Sequence, residues 1–317
     1  MAAYCCAHLL AKAGFQVDLQ PVNRPRLPAI VLGDQALAFI RDIFDRPALF
    51  ADLPRIGKRI VAWGVGAKPI LVEHSAVVVS EELLLESIRP PGADRREFQA
   101  LPWTILAAPP LPTEAVPTWF GSRMASASSV KLKKDSGDDT CWIESLDEGW
   151  LFLVPGWLLS VGAPAAALLA ESQVIAPCLA DVAASSGEFP ASARMVSPLC
   201  GSNWLACGTA AMAFDPICGD GTAHAIREAI LASAVVRALS NGGSPASLLA
   251  HYAARLTAGF RRHLVVCRQF YQSGGTGWFW RSELEAIERG VLWCDAALAN
   301  HANFRYQLRG FELEAVR

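Results

Sequence analysis

The sequence predicts an α/β protein with an antiparallel sheet inserted into it and a helical C-terminal region. Three observations predict this. Residues 204–239 read as a buried strand, a tight Asp-Pro turn, a glycine loop and then a helix; residues 2–19 read as a helix followed by a strand; and residues 118–161 run strand after strand through polar turns. Helix–strand units at the ends with hairpins between them are the pattern of an α/β domain that carries an all-β insertion.

Taken in order, residues 2–13 form an apolar helix that Gly14 ends, and Phe15–Gln20 is its strand. A proline-rich link, Pro21–Pro28, follows. Asp34–Phe44 has helical apolar spacing; Arg59–Gly64, Ile70–Val72 and Ala76–Val79 read as strands; and Ser80–Ile88 is a helix with Ser80 as its N-cap. Residues 102–107 are a buried strand. Turns at Ser136-Gly137-Asp138 and Asp147-Glu148-Gly149 punctuate the hairpin region. Trp150–Ala170 carries no charge and is long enough to cross a bilayer, but Pro155-Gly156 and Pro164 break it. It divides into strands Trp150–Pro155 and Trp157–Val161 and a helix after Pro164, so the chain is not transmembrane. Thr222–Leu239 is a helix stopped by Asn241-Gly242-Gly243, Ser247–Tyr271 is one long helix, and a short helix and the strand Phe304–Leu313 close the chain.

With 317 residues, 52% of them hydrophobic and 18% charged, the chain has enough apolar side chain for a large core. A net charge of −2 argues against a nucleic-acid surface, since the one dense basic cluster, Lys131–Lys134, is answered by Asp135, Asp138 and Asp139. The nine cysteines contain no C-x-x-C pair and no secretory signal precedes them, which implies reduced core thiols, a cytoplasmic protein and no metal site.

Chemistry concentrates in the glycine loop. Gly208, Gly219 and Gly221 let backbone approach a ligand that a side chain would block, and the helix from Thr222 presents free N–H groups and partial positive charge to it. Two histidines are candidates for proton transfer: His74 in a strand-to-strand turn, and His224, which the adjacent helix N-terminus keeps neutral. His8, His251, His263 and His301 read as helix-surface or loop residues. No Ser-His-Asp order, zinc spacing or Walker loop points to a hydrolase or NTPase.

The segment Gly208-x-Ala210-Ala211-x3-Asp215-Pro216-x2-Gly219-x-Gly221 before an alanine-rich helix resembles the second flavin motif of FAD-dependent hydroxylases of the p-hydroxybenzoate hydroxylase type, a superfamily that includes the flavin-dependent tryptophan halogenases. Residues 2–19 resemble the first helix and second strand of its Rossmann unit. The strand and Gly-x-Gly-x-x-Gly loop that precede them in the family are not in this sequence, Gln20-Pro21 stands where an acidic ribose ligand is usual, and Thr209 stands for the family's ribityl-binding Asp. The resemblance implies FAD as cofactor, held by Ala2, Ala3, Gln35, Thr209, Asp215, Pro216, Gly219, Asp220, Gly221 and Thr222. Gly149-Trp150-Leu-Phe152-Leu-Val-Pro155 resembles the halogenase segment Gly-Trp-x-Trp-x-Ile-Pro, and implies Trp150 and Phe152 as substrate contacts. Neither Lys58 nor Lys68 aligns with a halogenase lysine.

The fold so implied is a Rossmann-like FAD-binding domain without its first strand, residues 1–112 and 196–245, an antiparallel substrate sheet, residues 113–195, and a helical region, residues 246–317. The activity implied is that of an FAD-dependent oxidoreductase: a monooxygenase that transfers oxygen through a flavin peroxide to a small aromatic or apolar substrate, with NAD(P)H or a flavin reductase as electron source. Three other readings stay open: a degenerate or truncated non-catalytic flavoprotein fold, a maturation enzyme acting on a partner polypeptide, and a halogenase.

Overall fold

A computed structural model describes residues 1–20, 22, 24–89, 103–185, 187–299 and 305–316. In chain order the elements are α1 (Ala2–Lys12), β1 (Ile30–Gly33), α2 (Asp34–Ile43), β2 (Arg55–Ala62), β3 (Ile70–Val79), α3 (Glu81–Ser87), β4 (Thr104–Leu106), β5 (Val116–Phe120) and β6 (Met124–Leu132). There follow β7 (Thr140–Leu146), β8 (Gly149–Val154), β9 (Trp157–Gly162), α4 (Ala165–Glu171), β10 (Leu179–Val182), β11 (Glu188–Pro190), β12 (Ala193–Ser197), β13 (Trp204–Ala206), α5 (Gly208–Ala211) and β14 (Met212–Ala213). The last are α6 (Gly221–Ser240), α7 (Pro245–Gly274), α8 (Trp278–Ala299), β15 (Tyr306–Arg309) and β16 (Glu312–Ala315).

The large sheet runs β1-β3-β2-β7-β8-β9-β6-β10, with β11 also on β6. Only β2–β7 is parallel within it. It draws strands from both sides of residue 113, because β1–β3 hydrogen-bond directly into the sheet built from β6–β9. The proline-broken apolar run becomes β8, β9 and α4, joined through Pro155-Gly156 as the turn chemistry predicts. Ser80 caps α3 by accepting a hydrogen bond from the Leu83 N–H at 3.1 Å. Among the described residues no helix is long and apolar enough to cross a membrane.

The second unit is small. β13 pairs in parallel with β4, α1 and α6 pack beside them, and Cys5, Cys6, Leu205 and Cys207 are buried between these elements. Phe15–Gln20, expected as a strand, is irregular. A strand needs a paired strand beside it, and none of the described sheets includes this segment, although Phe15 and Val17 still pack on the core. Pro21 and His301 lie outside the described residues.

Other differences also have physical causes. The short C-terminal helix is instead the 22-residue α8, which crosses α7 so closely that a Cβ on Gly290 would stand 2.9 Å from Leu264 Cδ1. Glycine is poor for a helix but necessary at that crossing. The terminal strand is a β15–β16 hairpin. Ile70–Val79 is one continuous strand, so His74 sits within it and not in a turn. His251 and His263, expected on helix surfaces, are each 3% exposed, because α7 is packed on more than one side.

Buried carboxylates tie loops to this frame. Glu144 on β7 accepts hydrogen bonds from the N–H groups of Gln173, Val174 and Ile175 at 2.8, 3.1 and 3.0 Å, which closes the turn after α4. Glu228 on α6 accepts from the Gly208 N–H at 2.6 Å with one oxygen, while its other oxygen has no partner. Burial pushes this carboxyl up to about 8, with the Gly208 hydrogen bond opposing. The native state therefore holds a proton that the unfolded chain releases near pH 4.5, so the Glu228 contribution is fully present below that pH and lost as pH rises through 8. The melting temperature of the parent protein should fall between pH 5 and pH 8, and Glu228→Gln should flatten that decline. Equal slopes for the two proteins would contradict this assignment.

Candidate functional site

The glycine loop is built as the residues dictate. Cys207 follows β13 as the N-cap of α5, α5 and β14 return the chain to β12, and Asp215 then starts a 3-10 turn over Pro216–Cys218. The Asp215 carboxylate accepts from the Ile217 N–H at 3.0 Å, the usual role of Asp before a proline at a helical start. Gly219 leaves the turn at φ +65°, and a Cβ there would meet nothing within 4 Å. The same open space lies in front of Gly221, the first residue of α6. Asp220 precedes the helix without capping it; one of its oxygens instead lies 2.9 Å from His224 Nε2. The first-turn N–H groups of α6 thus carry no side-chain cap, beside glycines whose Cβ positions are open, which is an arrangement that can receive an anion or an electron-rich ring.

Behind the loop lies a fully buried ionic cluster. Arg123, in the turn between β5 and β6, sits 3.0 Å from the Asp215 carboxylate and also hydrogen-bonds Glu283 on α8. Its guanidinium lies over the Tyr271 ring of α7 at 4.7 Å, and the Tyr271 hydroxyl accepts the Trp150 indole N–H at 3.2 Å. Burial works against the charge on Arg123, yet Tyr271, Asp215 and Glu283 hold it protonated, above its usual range. Burial raises the Asp215 carboxyl, with Arg123 opposing. Breaking such a cluster by removing one partner strands an uncompensated charge, at a cost of roughly 3–5 kcal/mol.

His263 anchors the loop from α7. Its Nε2 accepts the Asp215 N–H at 2.9 Å, and burial drives its protonation down to about 3, so the ring is neutral. The single ring proton then resides on Nδ1, 3.8 Å from the Asp220 carboxylate. Two donor groups around this histidine, Cys218 with Cys267 and Asp220 with His224, bring ligand atoms within 4.8 Å of one another. With one ring nitrogen accepting a backbone N–H and the other protonated, His263 has no free lone pair for a metal.

The expected cofactor contacts Asp215, Pro216, Gly219, Asp220, Gly221 and Thr222 are contiguous along this loop. Ala2 is buried and Ala3 half-buried at the start of α1, and a Cβ on Gly208 would stand 2.9 Å from the Ala2 Cβ, so this helix start lies against the β13–α5 corner. Gln35 is exposed in the first turn of α2. Thr209 is exposed, but its hydroxyl donates to the Ala107 carbonyl at 3.1 Å and so links the two halves of the small parallel sheet. On the large sheet Arg59 joins two other candidates, lying 3.0 Å from His74 Nε2 and over the Phe152 ring at 5.9 Å. Burial lowers the protonation range of His74, and the Arg59 charge lowers it further. His224 stacks on Phe214 at 4.2 Å.

Arg123, Tyr271, Glu283, His263 and Cys267 were not legible as site residues. Each is an isolated polar residue in an ordinary helix or turn, and only the packing of α7 and α8 against the loop brings them together. Trp150 is placed differently from a residue lining a chamber. It is 1% exposed, edge-on to Trp63 and hydrogen-bonded to Tyr271. Trp150→Ala should therefore cost about 3–5 kcal/mol of stability. Tyr271→Phe, which removes the acceptor of the Trp150 N–H and the hydroxyl beside Asp215, should cost about 1–3 kcal/mol. Chemical denaturation of both variants checks this, and a Trp150→Ala protein as stable as the parent would contradict it.

No protein-family model and no curated protein sequence matches the chain. Solved structures do. The peptidyl tryptophan dihydroxylase QhpG, essential for tryptophylquinone cofactor biogenesis, superposes with a TM-score of 0.71 at 16% identity, covering 100% of this chain and 84% of that one. CmlS, a flavin-dependent halogenase, gives 0.74 at 16% identity, covering 92% of this chain and 68% of that one. Klebsiella pneumoniae HpxO, complexed with FAD and uric acid, gives 0.61 at 13% identity, covering 93% and 94%. At these identities the likeness is one of architecture: the chain has the fold of the flavin-dependent halogenases and monooxygenases.

Proposed function

We propose that this protein is an FAD-dependent oxidoreductase, a monooxygenase acting on an aromatic or apolar substrate. The observation that carries the reading is the Asp215–Gly221 loop, where a left-handed Gly219 and an unobstructed Gly221 open onto the uncapped start of α6. These residues fit the ring end of a flavin, because nothing occupies the space in front of them and the α6 N-terminus favours negative charge there. When bound, FAD supplies the redox chemistry and, once reduced, the activation of oxygen. The chain's own residues have a positioning role. Asp215 shapes the turn, Gly219 and Gly221 admit the ring, and Arg123 and His263 hold the turn rigid from behind. Thr209 and the first turn of α1 supply what contact this chain offers further along the cofactor.

A second reading, action on a partner polypeptide, is favoured by exposed apolar side chains at the β2–β3 hairpin and the start of α8. Val65, Ile70, Leu71 and Trp278 are 78%, 59%, 66% and 69% exposed there. The neighbour QhpG acts on a peptidyl tryptophan.

FAD titration followed by flavin fluorescence tests the proposal. The parent should bind, whereas Gly221→Val, which fills open space without straining the fold, should lose at least tenfold in affinity with little change in melting temperature. Gly219→Asn, which tolerates a positive φ, should behave in the same way. A parent protein that fails to bind FAD, or variants that bind like the parent, would overturn it.

A further inference from the structure

The loop carries a second chemistry that a flavin does not require. Cys218, in the 3-10 turn, has its Sγ 3.6 Å from the Sγ of Cys267 on α7. Cys267 in turn lies one helical turn after His263, with its Sγ 3.2 Å from His263 Nε2. Nε2 carries the one ring lone pair and already accepts the Asp215 N–H, so the Cys267 sulfur lies against the ring and faces Cys218 at 3.6 Å. The two sulfurs differ in access. Cys267 is fully buried and Cys218 is half-buried, so a small polar oxidant meets Cys218 first. The remaining thiols are less available: Cys5, Cys6, Cys141, Cys207 and Cys294 are buried, and Cys178 and Cys200 donate to the Val174 and Leu249 carbonyls.

We infer that Cys218 and Cys267 form a peroxide-reactive dithiol, in which oxidation of Cys218 is resolved by Cys267 to a disulfide that ties the Asp215–Gly221 loop to α7. In the first step the Cys218 sulfur, as thiolate, attacks one oxygen of hydrogen peroxide and the O–O bond breaks. Cys218 becomes a sulfenic acid, and the departing hydroxide takes up the thiol's proton as water. In the second step the Cys267 sulfur attacks the Cys218 sulfur, the S–S bond forms and the S–O bond breaks. The Cys267 proton leaves with that hydroxide as a second water. Overall, two thiols give two electrons to one peroxide and yield a disulfide and two waters. The sulfurs must close from 3.6 Å to about 2.05 Å, which a turn ending in glycine can accommodate. Burial pushes the Cys267 thiol up, so the more accessible Cys218 meets the peroxide first and Cys267 acts in the second step.

The full-length protein, reduced, desalted and free of flavin, should be exposed to a few equivalents of hydrogen peroxide, alkylated and digested without reductant. A Cys218–Cys267 linked peptide should be the main product, lost on adding dithiothreitol. Cys218→Ser should abolish the linkage, and Cys267→Ser or Cys267→Ala should leave Cys218 as a sulfenic acid trapped by dimedone. The idea is overturned if the parent itself accumulates dimedone-labelled Cys218, if other cysteines pair instead, or if both thiols stay unreacted. Protection of both sulfurs by one equivalent of chelator-removable zinc would overturn it too. Because the protein is tested without flavin, failure here leaves the oxidoreductase proposal intact, and failure to bind FAD leaves the dithiol intact.

Discussion

A guanidinium buried between two carboxylates and over a phenol ring has no stable alternative position, and Arg123 imposes that constraint on everything around it. It lies in the short turn from β5 to β6, yet its partners come from the glycine loop, from α7 and from α8. Taking these charges out of water is costly, and only their mutual attraction, at full contact, compensates. The loop, the two long helices and the β5–β6 turn are therefore coupled: none can move far without exposing or orphaning a charge. The Trp150–Tyr271 hydrogen bond extends the same constraint into the aromatic core on β8.

This rigid backing explains how a glycine-rich segment can serve as a defined surface. Glycine is conformationally free, and a loop holding Gly219 and Gly221 would sample many shapes if left alone. Three interactions remove that freedom from behind. Asp215 accepts from Ile217, donates its own N–H to His263 and faces Arg123, so the backbone is held on its inner side while its outer side stays open. Preorganised dipoles aimed at open space are what electrostatic stabilisation of a bound group demands. His263 is the pivot, since the same nitrogen that fixes the turn also lies 3.2 Å from the Cys267 sulfur.

Buried acids perform related work elsewhere. Glu144 gathers three backbone N–H groups at the end of α4, and Glu283 takes the Ser122 N–H as well as Arg123. Glu228 gathers one N–H and leaves one oxygen unmatched, and burial pushes its carboxyl up to about 8. The pockets differ in the number of donors they supply to the carboxylate.

Much of this was legible in the residues. The Asp-Pro-glycine sequence, the helix that follows it, the Pro155-Gly156 hairpin and the Ser80 cap are local, because each rests on the stereochemistry of a few neighbouring residues. The sequence by itself determined those elements, the α/β pattern with its inserted sheet and the position of the ligand-facing loop. Whether Phe15–Gln20 becomes a strand depends on a partner elsewhere in the chain, and whether His251 and His263 are buried depends on what packs over α7. Only the tertiary structure decided those points, along with the Arg123 cluster, the tautomer of His263 and the approach of Cys218 to Cys267. Buried charge and thiol pairs are set by contacts between residues far apart in sequence, and no local periodicity records them.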